Sequence, residues 1–237
     1  MAAPKLDQTL ESNQNLSRHH LTRKVAGGRG IWRNRETGLY SARGERKYVN
    51  REERCRVLAV IDGLNAEQAL FCMLLAFTGA RVSELLALTP ASFAIESSVI
   101  SVITLKRRRM HVREIPIPPV LMANIDRVFE LCVAQRDERA SQTPLWRFCR
   151  QTAWRIVKRA MRLAHVSGRR ASPRGLRHSL GVNALQAGVP LHLIQRWLGH
   201  SRLSTTAIYA DVVGPEELSF AARFWQACPP AAERHAT

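Results

Sequence analysis

Leu198-Gly199-His200-Ser201-Arg202-Leu203-Ser204-Thr205-Thr206-Ala207-Ile208-Tyr209 joins the end of one predicted helix to the start of another. Glycine commonly ends a helix, so Gly199 places His200 directly after the cap. Taken alone, His200 reads as a capping or core residue, and Tyr209 as a half-buried aromatic with its hydroxyl at the surface. Two further stretches change that weighting. Upstream lies Ser172-Pro173-Arg174-Gly175-Leu176-Arg177-His178, and far upstream Thr78-Gly79-Ala80-Arg81-Val82-Ser83-Glu84-Leu85. Ser172 and Pro173 make a helix start, and Arg174 and Arg177, three residues apart, project from one face of that helix. Arg81 follows a tight turn and opens a helix, where its guanidinium and the helix N-terminal amides are placed to face a phosphate together. Glu84 is positioned to hold that guanidinium and His178 to support the same site, although an ordinary surface Arg–Glu pair is the plainer reading of Arg81 and Glu84 alone.

The ordered set predicts chemistry on a phosphodiester. A phosphoryl group in its transition state carries charge on its non-bridging oxygens, which fixed guanidinium donors take up by bidentate hydrogen bonds. A tyrosine hydroxyl can attack phosphorus and hold the phosphate covalently, splitting one hard step into two easier ones. Arg81, Arg177, His200 and Tyr209 therefore read as the centre of a DNA strand transferase.

Composition agrees. The chain has 237 residues, 46% hydrophobic, and 36 basic against 19 acidic side chains for a formal charge of +17. That length suits one domain with or without a small arm, and the charge points to a polyanionic partner, nucleic acid first. Cys55, Cys72, Cys132, Cys149 and Cys228 are scattered, which argues against a zinc site or a disulfide framework and for a reducing cytoplasm. No apolar run is long enough to span a bilayer, and Ala69 to Phe77 reads as a buried helix.

Residues 1–47 are polar and rich in Arg, Asn and Gly, and predict a flexible basic arm with at most a short element around Ile31 to Tyr40. From Tyr48 the pattern tightens. Asn50 with Glu53 makes a capping box before Val57, Leu58, Val60 and Ile61. A second helix runs from Asn65 to Phe77 and stops at Gly79, and a third from Arg81 to Leu88 before Pro90. The period then changes: Ser98 to Thr104 and His111 to Ile117 alternate as strands around the basic turn Lys106-Arg107-Arg108-Arg109, a DNA-binding candidate. Helices follow from Pro118 to about Arg136 and at 146–165, 173–187, 190–199, 203–211 and 215–227. The fold class is thus mainly α with a small antiparallel β-sheet (α+β). The domain is expected to span 48–214, with a C-terminal helix and tail over 215–237.

These motifs identify a resemblance to the tyrosine recombinases, the phage-type integrases and Xer-like chromosome resolvases, over about Tyr48 to Glu217. The resemblance implies a recombinase catalytic-domain fold that cleaves DNA through a 3′-phosphotyrosyl link without cofactor or metal. It makes Arg81 and Arg177 the phosphate-clamping arginines, His200 a hydrogen-bond donor to the phosphate and Tyr209 the nucleophile. Arg174 stands where the family usually has histidine; arginine donates to phosphate but is no general base at neutral pH. Lys106, the one lysine of the hairpin, takes the family's general-acid role. Arg108 matches better by count, but its high pKa makes it a poor proton donor.

The resemblance further implies double-stranded DNA with a specific recombination site as partner, a homo-oligomer (a tetramer) on that DNA, no membrane, and a cytoplasmic, nucleoid-associated location. It sets an arm over 1–47 in place of a full core-binding domain, and a C-terminal helix that docks in trans on a neighbouring protomer. Two other readings stay open at this level. One is an accessory or regulatory DNA-binding protein that keeps the fold with weak or no catalysis; the other is an electrostatic nucleoid binder.

Overall fold

Asn50 opens the first helix, α1 (Arg51–Ile61), through the capping box its sequence predicts. Its side chain accepts from the Glu53 amide at 2.8 Å, and the Glu53 carboxylate accepts from the Asn50 amide at 3.0 Å. The computed structural model describes residues 38–41, 44–104, 111–211, 217–218, 221–223 and 226. Asn65 caps α2 (Ala66–Thr78) by accepting from the Gln68 amide at 2.9 Å. Most of α2 is apolar, and it buries Leu70, Phe71, Cys72, Leu74, Leu75 and Ala76, as a helix enclosed by its neighbours must. It ends at Gly79, whose φ is +59°; a Cβ there would lie 2.7 Å from methyl carbons of Leu180 and Leu198. Both the left-handed backbone and the lack of room require glycine.

After α3 (Val82–Leu86) comes a three-stranded antiparallel sheet in the order β1 (Phe93–Ala94), β2 (Val99–Ile103), β3 (Val112–Pro116). Ile100 pairs with Ile115, and Val102 with Arg113. The inward positions of β2 and β3 are Ile100, Val102, Arg113 and Ile115. Then follow α4 (Pro119–Phe129), α5 (Leu131–Ala134), α6 (Glu138–Ser141), α7 (Arg150–Leu163), α8 (Pro173–Gln186), α9 (Leu191–Leu198), α10 (Leu203–Ala207) and a 3₁₀ turn at Ile208–Ala210. The mainly α architecture with a small antiparallel sheet is the one the sequence predicts. α2 packs against α8, α4 and α1, and the main core gathers edge-to-face around Phe71, Trp146, Phe148 and Phe129. A second cluster joins Leu39 and Tyr48 to Leu180, Ile194, Leu198 and Tyr209.

Several boundaries differ from expectation for identifiable reasons. The helix predicted from Pro118 to Arg136 breaks at Glu130, which has a φ of +49°. Asp126 captures the Cys132 amide at 2.8 Å beyond the break, restarting the chain as α5. The helix predicted from 146 begins only at Arg150: Trp146 is held in the preceding loop, where its indole N–H donates to the Leu85 carbonyl at 2.8 Å. The predicted helix from Arg81 to Leu88 is the shorter α3, with Arg81 as its N-cap. Part of the expected arm is folded, because Tyr40 bridges to Arg46 and Leu39 is buried. Too few apolar residues occur there to make a periodic signal. Residues 1–37, the hairpin residues Lys106, Arg107, Arg108 and Arg109, and most of 212–237 lie outside the described residues. Of the predicted C-terminal helix, residues 217–218, 221–223 and 226 are helical.

Candidate active site

Arg177 is fixed by the ends of two other helices. Ser172 caps α8 by accepting from the Gly175 amide at 3.2 Å, which sets Arg177 on the first turns. The Arg177 Nη1 donates to the Gly79 carbonyl at 2.5 Å and Nη2 to the Leu198 carbonyl at 2.6 Å. Both acceptors lie at C-termini of helices, where carbonyls lack helical partners and carry the negative end of the dipole. Burial, then the nearby Arg81, lowers the Arg177 pKa to about 10, so it remains a cation at neutral pH.

Arg81 is held by Glu84. Its Nη1 donates to Glu84 Oε1 at 2.6 Å, and its backbone N–H donates to Oε2 at 2.8 Å. The Arg81 and Glu84 amides are thus already engaged, the latter with the Arg81 carbonyl at 2.9 Å, while Val82 and Ser83, the first two residues of α3, line the cleft beside the guanidinium. Glu84 in turn rests on Arg113, which the sequence reading missed. Arg113 has a fully buried side chain whose Nη2 donates to Glu84 Oε2 at 2.7 Å, Nη1 to Thr104 Oγ1 at 2.8 Å and Nε to the Trp197 carbonyl at 2.8 Å. A cation at an inward position of a strand, in step with Ile115, was the available signal. Burial pushes the Glu84 carboxyl up, but Arg113 and then Arg81 outweigh it and hold it below the usual carboxylate range.

His200 is placed by the helix end its sequence predicts. Gly199 adopts φ +65°, its amide reaches the Arg196 carbonyl at 3.0 Å, and the His200 amide reaches the Gln195 carbonyl at 3.1 Å. This is the Schellman pattern. The His200 Nδ1 is hydrogen-bonded to Thr206 Oγ1 at 2.9 Å, so Nε2 is the nitrogen that remains for a ligand. Burial, then Arg177 and Arg81, pushes its pKa down to about 3, and the ring is neutral at pH 7.

Tyr209 is fully buried. Its ring stacks on His200 at 6.3 Å between centroids and 14° between planes, and its hydroxyl meets His178 Nδ1 at 3.3 Å. Behind it Gly181 makes room: a Cβ there would lie 2.4 Å from the ring. Burial raises the phenol to about 12, against the pull of Arg177 and Arg174. His178 also receives the Arg174 Nε–H on Nε2 at 3.2 Å.

Arg81, Arg174, Arg177, His178 and His200 line one cleft of about 620 Å³ together with Arg150 from the first turn of α7, and Tyr209 lies buried against His178 and His200 rather than on its lining. Arg150 was not singled out from sequence; its signal was α7 itself, whose outer face carries Arg150, Trp154, Arg155, Lys158, Arg159 and Arg162 with no acidic residue. Chemically the cleft can hold an anion by convergent cationic donors, with a phenol hydrogen-bonded to one of its wall residues.

Residues 47–214 match the model of the phage integrase family. Tyrosine recombinase XerA of Thermococcus onnurineus is 34% identical over 174 residues, 70% of this chain and 58% of the relative. The chain therefore spans little more than half the length of that relative. Among solved structures, XerA recombinase aligns with a TM-score of 0.62 at 22% identity, covering 77% of this chain and 65% of that one. XerH recombinase bound to its palindromic difH substrate in a post-cleavage complex aligns with a TM-score of 0.55 at 23% identity, covering 76% and 53%. At those identities the structural likeness establishes the fold, that of the tyrosine-recombinase catalytic domain. With the match extending over most of its described length, this chain belongs to the phage integrase family.

Proposed function

We propose that this protein is a site-specific DNA recombinase that cleaves and rejoins strands through a 3′-phosphotyrosyl intermediate. The observation that carries the reading is the convergence on one cleft of Arg81, Arg177 and His200, far apart in sequence, with the Tyr209 ring stacked on His200. Arg81 and Arg177 clamp the scissile phosphate, each already held by its own acceptors, so their charge is preorganised for the transition state. His200 donates to a non-bridging oxygen through Nε2. Arg174 adds a further cation beside them. Tyr209 Oη attacks phosphorus, the 5′ oxygen leaves, and Lys106 protonates it; the bond energy stays in the phosphotyrosine, and no metal or nucleotide cofactor takes part. Thr104 supports the Lys106 assignment, because it directly follows β2, two residues before Lys106, and is bonded to Arg113, which braces Glu84 and thus Arg81.

The substrate is double-stranded DNA carrying a specific site, as in the XerH complex. The exposed basic face of α7 and Arg107, Arg108 and Arg109 meet the flanking backbone, and the working form is a homo-oligomer, a tetramer, assembled on DNA at the nucleoid. Residues 1–37 act as a basic arm, and the C-terminal helix docks on a neighbouring protomer.

The test is a nicked suicide duplex built on an inverted repeat sought in the DNA beside the coding region, read as a protein–DNA band on a denaturing gel. Wild type forms the band, and Tyr209→Phe abolishes it while leaving DNA affinity nearly intact, since only the attacking oxygen is removed. A wild-type band from the phenylalanine variant would overturn the assignment of Tyr209. A wild type that binds the duplex without forming the band would favour an accessory DNA-binding role.

A further inference from the structure

Arg174 stands against one nitrogen of His178, and Tyr209 against the other. Arg174 Nε donates to His178 Nε2 at 3.2 Å, and His178 Nδ1 faces the Tyr209 hydroxyl at 3.3 Å. A guanidinium has donors only, so Nε2 must present its lone pair. A neutral imidazole carries one N–H, which is then on Nδ1. We infer that His178 serves Tyr209 as a hydrogen-bond donor locked in the Nδ1–H tautomer by Arg174, and not as the base that takes the phenolic proton. This inference rests on the reading of Tyr209 as nucleophile and assigns the hydrogen bond between its hydroxyl and His178 a direction.

The surroundings agree with a neutral ring. His178 is buried on α8, with Arg174 and Arg177 on the same helix, Lys47 from the preceding segment, and Tyr209 packed edge-on at 5.9 Å between ring centroids. Burial, then Arg174, Arg177 and Lys47, pushes its pKa down to about 3. A group so resistant to protonation makes a poor proton acceptor. As an N–H donor it stabilises the phenolate that forms as the Oη–P bond is made and the bond from phosphorus to the 5′ oxygen breaks. The phenolic proton then passes to water, and the 5′ oxygen receives its proton from Lys106. His178 keeps its own proton throughout. Arginine at position 174 is what decides the tautomer, because a histidine there could also accept.

Two measurements test this. The first needs no DNA: long-range ¹H–¹⁵N spectra of the full chain, labelled on histidine, with the His178 signals assigned by their loss in His178→Gln. The expected pattern at pH 7 is a protonated Nδ1 and an unprotonated Nε2, and Arg174→Met releases the ring to the other tautomer. A protonated Nε2 in wild type overturns the proposal. The second is single-turnover cleavage of the nicked duplex. His178→Asn puts an amide donor where Nδ1 stands and stays within about 10-fold of wild type, whereas His178→Leu falls by on the order of 10²-fold, as removal of a preorganised donor does. Equal losses of about 10²-fold or more in both variants would mark His178 as a base. Absence of any wild-type adduct would strike the recombinase reading, and the spectra would still decide the tautomer.

Discussion

Replacing Arg113 by methionine isolates the element that braces the cleft from behind. The substitution keeps an unbranched side chain of similar length and removes three donated hydrogen bonds, to Glu84, Thr104 and the Trp197 carbonyl. It also leaves the Glu84 carboxylate, fully buried, with Arg81 as its remaining charged partner. Breaking a buried pair from one side costs about 3–5 kcal/mol, because the surviving charge stays desolvated. That is a large part of the 5–15 kcal/mol typical of a domain and corresponds to a fall in Tm on the order of 10 °C.

The sign of the pH dependence follows from Glu84. In wild type its carboxyl is held below the usual range, so it contributes stability above the unfolded carboxyl pKa that is lost as pH falls through the folded one. In Arg113→Met burial dominates and the carboxyl rises, so the charged form is a cost that protonation relieves. The difference between wild type and variant therefore narrows from pH 7 to pH 5. Adding Glu84→Gln to Arg113→Met should recover part of the loss, because no buried charge is then left unpaired. Urea denaturation with equal slopes for all three proteins is the assay. A loss below about 1 kcal/mol at pH 7, or one that widens on acidification, would refute the bracing role.

Arg81→Lys and Arg177→Lys each keep a charge but lose the planar fork; single-turnover cleavage should slow by on the order of 10²-fold or more with a much smaller loss of DNA affinity, and wild-type rates in both would make these arginines ordinary basic surface. Gly175→Ala should destabilise by roughly 2 kcal/mol despite alanine's better helix propensity, since the new Cβ would lie 1.8 Å from the Arg170 carbonyl oxygen; an unchanged urea midpoint would contradict that packing. Converting Arg155, Arg159 and Arg162 on α7 to glutamine should reduce the slope of log affinity against log salt by about 2–3, and a slope equal to wild type would remove α7 from the DNA interface.

Much of the candidate site was legible because its residues sit beside local signals. Arg81 follows Gly79, His200 follows Gly199, and Arg177 follows a Ser-Pro helix start, and each of those signals sets a backbone conformation without help from distant residues. Arg113 was not read because its meaning depends on Glu84, Thr104 and Trp197, which only the tertiary fold brings to it. Trp146 was misread as helical for the same reason: its indole is held by the Leu85 carbonyl. Glu130, an ordinary helix former by propensity, takes a left-handed conformation as Asp126 captures the amide beyond it. Local propensity cannot anticipate that exchange.

The charge arrangement explains why the two histidines are neutral and why that suits an anion. Arg81, Arg150, Arg174 and Arg177 line the cleft, and among the described residues no acidic side chain does. Arg177 is held by two carbonyl oxygens, which orient a guanidinium without neutralising it. Glu84 shares its charge between Arg81 and the fully buried Arg113. The cations are thus positioned before any ligand arrives. His178 and His200, buried beside them, give up their charge and act as neutral donors. An anion placed in the cleft would offset the same cations, so both histidine pKa values would rise from about 3 toward the ordinary range. The burial that makes each histidine a poor base is therefore also what makes it responsive to the ligand.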